Sequence, residues 1–346
     1  MSNIKFIMAA RCEAAGRPSN EDNFQLTDDL AGDQWSFITD HEVDLGEKGA
    51  LLIVCDGMGG MNAGEVASKL AVESIKESFS SGRLTNEVTA TSASIMRYIE
   101  KAIIAADMRI KEQGKNDREK EGMGSTIVLA WIIGQSAFIG WCGDSRAYRF
   151  HPVFGLQRLS HDHSYVQSLV DSGQLSEESA FDHPYGNIIT RSLGDPGQTA
   201  IPEVKEYSLN NGDVIMLCSD GLCGVLRDHV IETVMNENAE SISACRDALW
   251  DAARNTGWHD NVTIGLCGIV SGCEQKASLP AETPKQKKTA KSRIRMLIAG
   301  LIAGIAIGFI TGIATERFFL SEWEKSEIKT LTFLESILKK FNTSKP

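Results

Sequence analysis

Four apolar runs of strand length share one peculiarity: each meets a carboxylate at its end. Leu51-Leu52-Ile53-Val54-Cys55 runs into Asp56-Gly57, Phe138-Ile139-Gly140-Trp141-Cys142 into Gly143-Asp144-Ser145, and Val214-Ile215-Met216-Leu217-Cys218 into Ser219-Asp220-Gly221, whereas Asp260-Asn261 comes just before Val262 to Ile269. Short apolar runs rich in β-branched residues and bounded by turn residues predict buried strands. Any one Asp-Gly pair after a strand is an ordinary turn signal. Four in series carry more, because in an antiparallel sheet the end of one strand lies beside the start of its neighbour. The pattern therefore predicts four acids on one sheet edge, a cluster that repels itself unless cations fill it.

The remaining periodicities fill in the domain. Ile4 to Cys12 reads as a strand, followed by a turn over Gly16 to Phe24 that carries Arg17, Glu21 and Asp22. Residues 28–49 are polar and read as a long loop or hairpin excursion. Helical spacing covers Ala63 to Ser80 (Val66, Leu70, Ile75, Phe79) and predicts a longer helix over Glu87 to Gln113. Two hairpins follow, one turning at Gly134-Gln135 and one through Pro152 to Gly155. A short helix near Tyr165 to Ser172 leads into a Gly/Pro/Asn-interrupted flap over Phe181 to Gly197, and helices resume at Asp228 to Asn236 and Ile242 to Ala253. Sequential strands joined by hairpins favour antiparallel pairing, so the fold class is α+β, layered, with a domain ending near residue 270.

Beyond 270 the character changes. Residues 271–295 are rich in Lys, Ser, Thr and Pro and read as a flexible basic linker. Met296 to Thr315 then runs uncharged for long enough to cross a hydrocarbon core, which predicts a transmembrane helix over 296–315 and a short extracytoplasmic tail over 316–346. Lys285, Lys287, Lys288, Lys291, Arg293 and Arg295 precede the span, against Arg317, Lys325 and Lys329 after it, so the positive-inside bias puts the large domain in the cytosol. Gly300, Gly304, Gly308 and Gly312 recur every fourth residue, a ridge suited to a homodimer of membrane helices. The tail carries Trp323 and then Ile328, Leu331, Leu334, Leu338 and Phe341 at helical spacing.

Charge and cysteine content narrow the setting. The net charge of -11 is uneven: residues 1–270 hold 22 Lys and Arg against 39 Asp and Glu, and residues 271–346 hold 13 against 7. So acidic a body argues against nucleic acid as a partner. Four of the eight cysteines (Cys55, Cys142, Cys218, Cys267) lie inside apolar runs, and no secretory leader precedes them, which fits a reducing cytosol. His161-x-His163 lacks a third ligand at a zinc-like spacing, so Asp162 and His163 are expected to fix their loop by hydrogen bonds.

Arg17-x-x-x-Glu21-Asp22, Asp56-Gly57-Met58-Gly59-Gly60, Gly124-Ser125-Thr126, Gly143-Asp144-Ser145-Arg146, Asp162-His163-Ser164, Leu193-Gly194-Asp195, Ser219-Asp220-Gly221 and Asp260-Asn261-Val262-Thr263 together resemble, in order and spacing, the metal-dependent type-2C serine/threonine protein phosphatases, especially bacterial ones. The resemblance spans residues 5–270. It implies a four-layer sandwich of two antiparallel sheets flanked by helices. It further implies that Asp56 bridges two Mn²⁺ or Mg²⁺ ions, that the Gly57 carbonyl joins one of them and that Asp220 and Asp260 complete the pair. Glu21 and Asp22 would hold metal-bound waters, Asp144 with Asp220 would serve a third ion, and Arg17 would bind the phosphate. Hard divalent ions want oxygen ligands, and two of them activate water against a phosphate ester. Met58 stands where many eukaryotic relatives carry a histidine, so protonation of the leaving alkoxide would fall to metal-bound water. His183-Pro184-Tyr185-Gly186-Asn187 lacks the basic residue that bacterial relatives often carry in the flap.

The resemblance makes the partners phosphorylated proteins and a cognate serine/threonine kinase whose signalling the enzyme reverses, at the inner face of a bacterial cell membrane. The contrasting reading is a catalytically silent phosphoprotein-binding scaffold of the same fold. A binder has no need of five or more converging carboxylates, which favours the enzyme.

Overall fold

A computed structural model describes residues 3–32, 34–35, 39–59, 63–257 and 259–273. The chain divides into two compact units, Met1–Lys276 and Ala277–Pro346. The predicted linker from residue 274 onward, the membrane helix 296–315 with its Gly300, Gly304, Gly308 and Gly312 ridge, and the tail lie outside the described residues. Among the described residues no helix is long and apolar enough to cross a membrane.

The strands in chain order are β1 (Lys5–Glu13), β2 (Asn23–Thr27), β3 (Thr39–Asp44), β4 (Ala50–Cys55), the two-residue pair β5 (Gly57–Met58) and β6 (Gly124–Ser125), β7 (Ile127–Ile133), β8 (Ser136–Cys142), β9 (Arg146–His151), β10 (Gly155–Arg158), β11 (Glu203–Ser208), β12 (Val214–Cys218) and β13 (Val262–Ser271). The helices are α1 (Ala63–Ser78), α2 (Asn86–Thr89), α3 (Ser92–Asn116), α4 (Tyr165–Asp171), α5 (Glu177–Phe181), α6 (Asp220–Cys223), α7 (Asp228–Glu237) and α8 (Ile242–Asn255). One sheet has the order β10-β9-β12-β13-β1-β3 and the other β11-β8-β7-β4-β2, all antiparallel.

Period-two alternation assigns each strand residue to a layer. Leu52, Val54, Val128 and Ala130 face Met8, Ala10, Ile215, Leu217 and Cys267 in the core between the sheets. The alternate residues Leu51, Ile53, Cys55, Leu129 and Trp131 pack under α1 and α3. On the far side, Tyr148, Phe150, Met216 and Cys218 meet Ile231, Met235, Leu249 and Trp250 of α7 and α8. Four layers thus enclose three apolar cores, and each fully buried large side chain contributes roughly 1.5–3 kcal/mol.

The structure corrects the sequence reading in four places. The helix expected over Glu87 to Gln113 is two helices: Thr91 Oγ1 accepts from Ser94 N (3.1 Å) and Ser94 Oγ accepts from Thr91 N (3.0 Å), a capping box that starts α3 afresh. The excursion over 28–49 contains β3, an edge strand on β1. β2 and β11 are strands that the polar pattern hid, since both lie at sheet edges where one side is solvated. Finally, the acids do not share one sheet edge. Asp56 and Asp144 follow strands of the five-stranded sheet, whereas Asp220 and Asp260 flank strands of the six-stranded one, so the carboxylates gather at one end of the sandwich, across both sheets.

Candidate active site

Pairing register brings the acids to that end. β4 and β8 flank β7 on its two sides, so they run the same way and deliver Asp56 and Gly143-Asp144 to the same end of the sheet. The pairing of Asn23 with Cys55 puts Asp22 next to Asp56. In the other sheet Cys218, last of β12, pairs with Ile264 near the start of β13, which sets Asp220 beside the Asp260-Asn261 turn.

Each acid is held by its neighbours' backbone or hydroxyls. Asp56 N donates to Thr126 Oγ1 (3.1 Å), Thr126 N to Asp56 O (2.8 Å) and Ser125 Oγ to Asp56 O (3.0 Å). Thr126 Oγ1 in turn meets Ser145 Oγ at 2.7 Å, beside Asp144. Asp22, only 4% exposed, accepts from Ser219 Oγ and Thr263 Oγ1 through one oxygen, both at 2.7 Å. Asn261 ties the turn over residues 14–21 to this end of the sheet: its Oδ1 accepts from Glu21 N (2.8 Å) and its Nδ2 donates to Ala14 O (3.0 Å) and Ser19 O (2.8 Å). Two glycines are required by close approach. A Cβ on Gly57 would overlap the carbonyl of Gly64 and stand 2.6 Å from Glu21 O, and one on Gly221 would overlap the carbonyl of Asn261.

The electrostatics are those of crowded carboxylates short of positive charge. Burial and then the charge of Asp220 push Asp144 up to about 8, and burial pushes Asp22 up to about 7 against the hydrogen bonds from Thr263 and Ser219. Asp56 rises well above the ordinary carboxylate range through burial and the facing charges of Asp220, Asp22 and Asp144, and Asp220 rises through burial and Asp260. Glu21 is raised by burial, against the pull of Arg17. Arg17, an exposed side chain, donates from Nη2 to Asp260 Oδ2 at 2.7 Å and is held more firmly protonated by that contact.

These residues fit a pair of hard divalent cations. One oxygen each of Asp22, Asp144 and Asp220 is buried without a hydrogen-bond partner, although a buried acceptor normally has one. Oxygen-only ligands suit Mg²⁺ and Mn²⁺. Among the described residues no three His, Cys, Asp or Glu side chains close into a ready-made cage. The acids form an open ring, in keeping with ions that keep much of their water and take few carboxylates each. All the residues singled out from sequence (Arg17, Glu21, Asp22, Asp56, Gly57, Asp144, Asp220 and Asp260) meet in this region through the interactions above.

A cavity of about 580 Å³ opens off the ring, lined by Asp144 and Asp220 together with Val166 of α4 and Phe181, Gly186 and Asn187 of the flap. Its floor is an ionic ladder: Arg146 donates from Nε and Nη2 to both oxygens of Asp162, and Arg146 Nη1 and Arg158 Nη2 approach Asp228 at 3.7 and 3.0 Å. His163 fixes its loop as expected, with Gly143 N donating to its Nδ1 (3.2 Å) and its Nε2 meeting Glu203 Oε1 (3.1 Å).

Sequence reasoning gave no role to Thr126, Ser219, Thr263 or Asn261, though all four sit inside the quoted motifs. Their hydroxyl and amide groups are common in any turn, and only the fold shows that they position carboxylates. Arg227 was missed altogether. It donates to Asp182 Oδ2 (2.5 Å) and Glu178 O (3.3 Å), and its guanidinium lies 4.2 Å over the Phe181 ring, which fastens α5 to the domain.

The model of the family described as protein phosphatase 2C matches residues 33–261. The serine/threonine phosphatase stp of Listeria innocua is 31% identical over 222 residues, 64% of this chain and 84% of that protein. Among solved structures, the serine/threonine phosphatase Stp1 from Staphylococcus aureus matches with a TM-score of 0.65 and 28% identity, over 77% of this chain and 95% of that one. The catalytic domain of the serine threonine protein phosphatase PstP, solved in complex with two manganese ions, matches with a TM-score of 0.61 and 26% identity, over 78% of this chain and 100% of that one.

Proposed function

Since this chain belongs to the protein phosphatase 2C family, we propose that it removes phosphate from phosphoserine and phosphothreonine in proteins, with two Mn²⁺ or Mg²⁺ ions held by Asp56, the Gly57 carbonyl, Asp220 and Asp260. The observation that carries this reading is the convergence of Asp22, Asp56, Asp144 and Asp220, with three buried carboxylate oxygens left unpartnered. Bound there, such ions supply Lewis acidity and an activated water for in-line attack at phosphorus.

The chain's own residues do the rest. Arg17 binds the phosphoryl group, since its fork has donors beyond the one that Asp260 takes, and orients the ester toward the ring. Glu21 and Asp22 would hold water beside the ions, with Asp22 fixed in place by Ser219 and Thr263. Thr126 and Ser125 hold the Asp56 backbone, so that its carboxylate needs no reorganisation when substrate arrives. Asp144 and Asp220, which line the cavity, would hold a third ion. Manganese-dependent hydrolysis of a phosphothreonine peptide, abolished by Asp56→Asn, is the expected result. No turnover with any divalent cation would leave the silent scaffold as the function.

The reading extends to a place in the cell. The uncharged run 296–315 and the basic residues before it support a single-pass anchor in a bacterial cell membrane, with the catalytic domain on the cytosolic side. Gly300, Gly304, Gly308 and Gly312 support pairing of two such helices. The partner it opposes is a serine/threonine kinase, because that is the class of enzyme that makes its substrate. Fractionation finding the full chain in membranes and a chain ending at residue 276 outside them is the expected outcome. Crosslinking in membranes that shows monomers alone, unchanged by Gly304→Ile, would remove the dimer.

A further inference from the structure

Most large apolar side chains of this domain are buried, yet three exposed ones crowd together where α4 meets the flap. Tyr165, Tyr185 and Ile188 are 40%, 55% and 45% exposed. The two rings meet edge-to-face with centroids 6.3 Å apart. Backbone bonds fix the group as a unit: Tyr165 N donates to Ile188 O (2.8 Å), Ile188 N to Tyr185 O (3.2 Å), and Ser164 bridges Ile189. The patch is therefore held open to solvent by its own backbone, at the cost of leaving aromatic surface wet, and such patches mark places where a partner's apolar surface is covered.

Its location says which partner. Gly186 and Asn187, between Tyr185 and Ile188, line the same cavity as Asp144 and Asp220. The cavity adjoins the ring at Asp144 and Asp220, and a volume of about 580 Å³ has room for a side chain of a peptide whose phosphorylated residue lies at the ring. The wall adjoining the patch adds Val166 and Phe181, so the path from ring to patch is partly apolar. Arg227, bonded to Asp182 and Glu178 and stacked on Phe181, keeps α5 fixed over the cavity.

We propose that Tyr165, Tyr185 and Ile188 form a docking platform for an apolar or aromatic side chain close in sequence to the phosphorylated residue, so that this enzyme prefers phosphopeptides with such a neighbour. The proposal rests on the phosphatase reading and adds the class of substrate. Rigid aromatic side chains that anchor one partner residue contribute heavily to binding because little conformational entropy is lost.

The test uses the full-length protein loaded with Mn²⁺, its Tyr185→Ser and Ile188→Ser variants, p-nitrophenyl phosphate, and two phosphothreonine peptides that differ only in carrying Phe or Ser at the positions flanking the phosphoresidue. The Phe peptide is expected to have about a tenfold higher kcat/KM with the native enzyme, mainly through KM. Each variant should lose most of that preference and turn over p-nitrophenyl phosphate within twofold of native. Equal kcat/KM for the two peptides on the native enzyme, or a preference that survives both substitutions, overturns the platform while leaving the phosphatase intact. Absence of p-nitrophenyl phosphate turnover by the native holoenzyme removes the phosphatase reading itself, and the platform with it.

Discussion

At the scale of single residues, the decisive contrast lies within one side chain. One oxygen of Asp22 accepts two hydroxyl hydrogen bonds while the other is buried with none, and the group is pushed up to about 7. In the metal-free protein the folded state therefore holds protons on Asp22 and on Asp144, pushed up to about 8, that the unfolded chain has already released. The folded state binding more protons, its stability falls as pH rises from about 4 to about 8, each group contributing at most roughly 1.4 kcal/mol for every pH step of one. Urea unfolding of the EDTA-treated protein should show this decline, and Asp22→Asn should shallow it. Mn²⁺ binding near pH 6.5 should release protons, readable by calorimetry in buffers of different ionisation enthalpy. Asp56→Asn keeps the shape but removes the central negative charge, and is expected to lower peptide turnover by at least about a hundredfold. With Met58 in place of a histidine, no limb of the pH-rate profile should trace to a side-chain imidazole.

At the scale of elements, the segment over 190–200 depends on one buried acid of α3. Asp107, fully buried, accepts from Gly194 N (2.8 Å), Ala200 N (3.1 Å) and Lys111 Nζ (2.7 Å). Leu193, next to Gly194, pairs with Ser125 in both directions (2.8 and 3.1 Å), and Ser125 bonds the Asp56 carbonyl. A clamp on α3 thus steadies the floor under the central carboxylate. Asp107→Ala strands two buried amides and takes the carboxylate partner from Lys111, which keeps only the Gln198 carbonyl, and should cost about 3–5 kcal/mol of stability. Hydrogen exchange at the Gly194 and Ala200 amides should accelerate well beyond that of β7. Equal protection of those amides in native and variant protein would show that the clamp is not needed. The two-residue hairpin at Gly134-Gln135 and the capping box of α3 are both local signals, but only the first is visible to an apolar-period reading.

At the scale of the whole molecule, both sheets contribute acids to one end, so occupancy of that end by cations ties the sheets together. Ligands that bind only the folded state stabilise it by mass action, about 2.7 kcal/mol at a hundredfold excess over Kd. Mn²⁺ should therefore raise Tm in a concentration-dependent way, and Asp220→Asn should blunt the rise. A Tm indifferent to Mn²⁺ would contradict a site shared by the two sheets. The same architecture explains why the strands of the core were legible and β2, β3 and β11 were not: buried strands announce themselves by unbroken apolar runs, whereas edge strands such as Glu203–Ser208 carry charge on their solvated side.

Composition, hydropathy and motif order by themselves determined the layered α+β class, the four central strands and the carboxylates placed at their ends, because these depend on local pattern and on residue chemistry that no packing can change. Only the tertiary structure decided that the acids gather across two sheets and not along one, that Ser219, Thr263, Thr126 and Asn261 hold them, and that α4 and the flap each turn a tyrosine toward solvent. Those facts arise from contacts between residues up to 247 positions apart, as between Asn261 and Ala14, and such contacts leave no trace in any window of sequence.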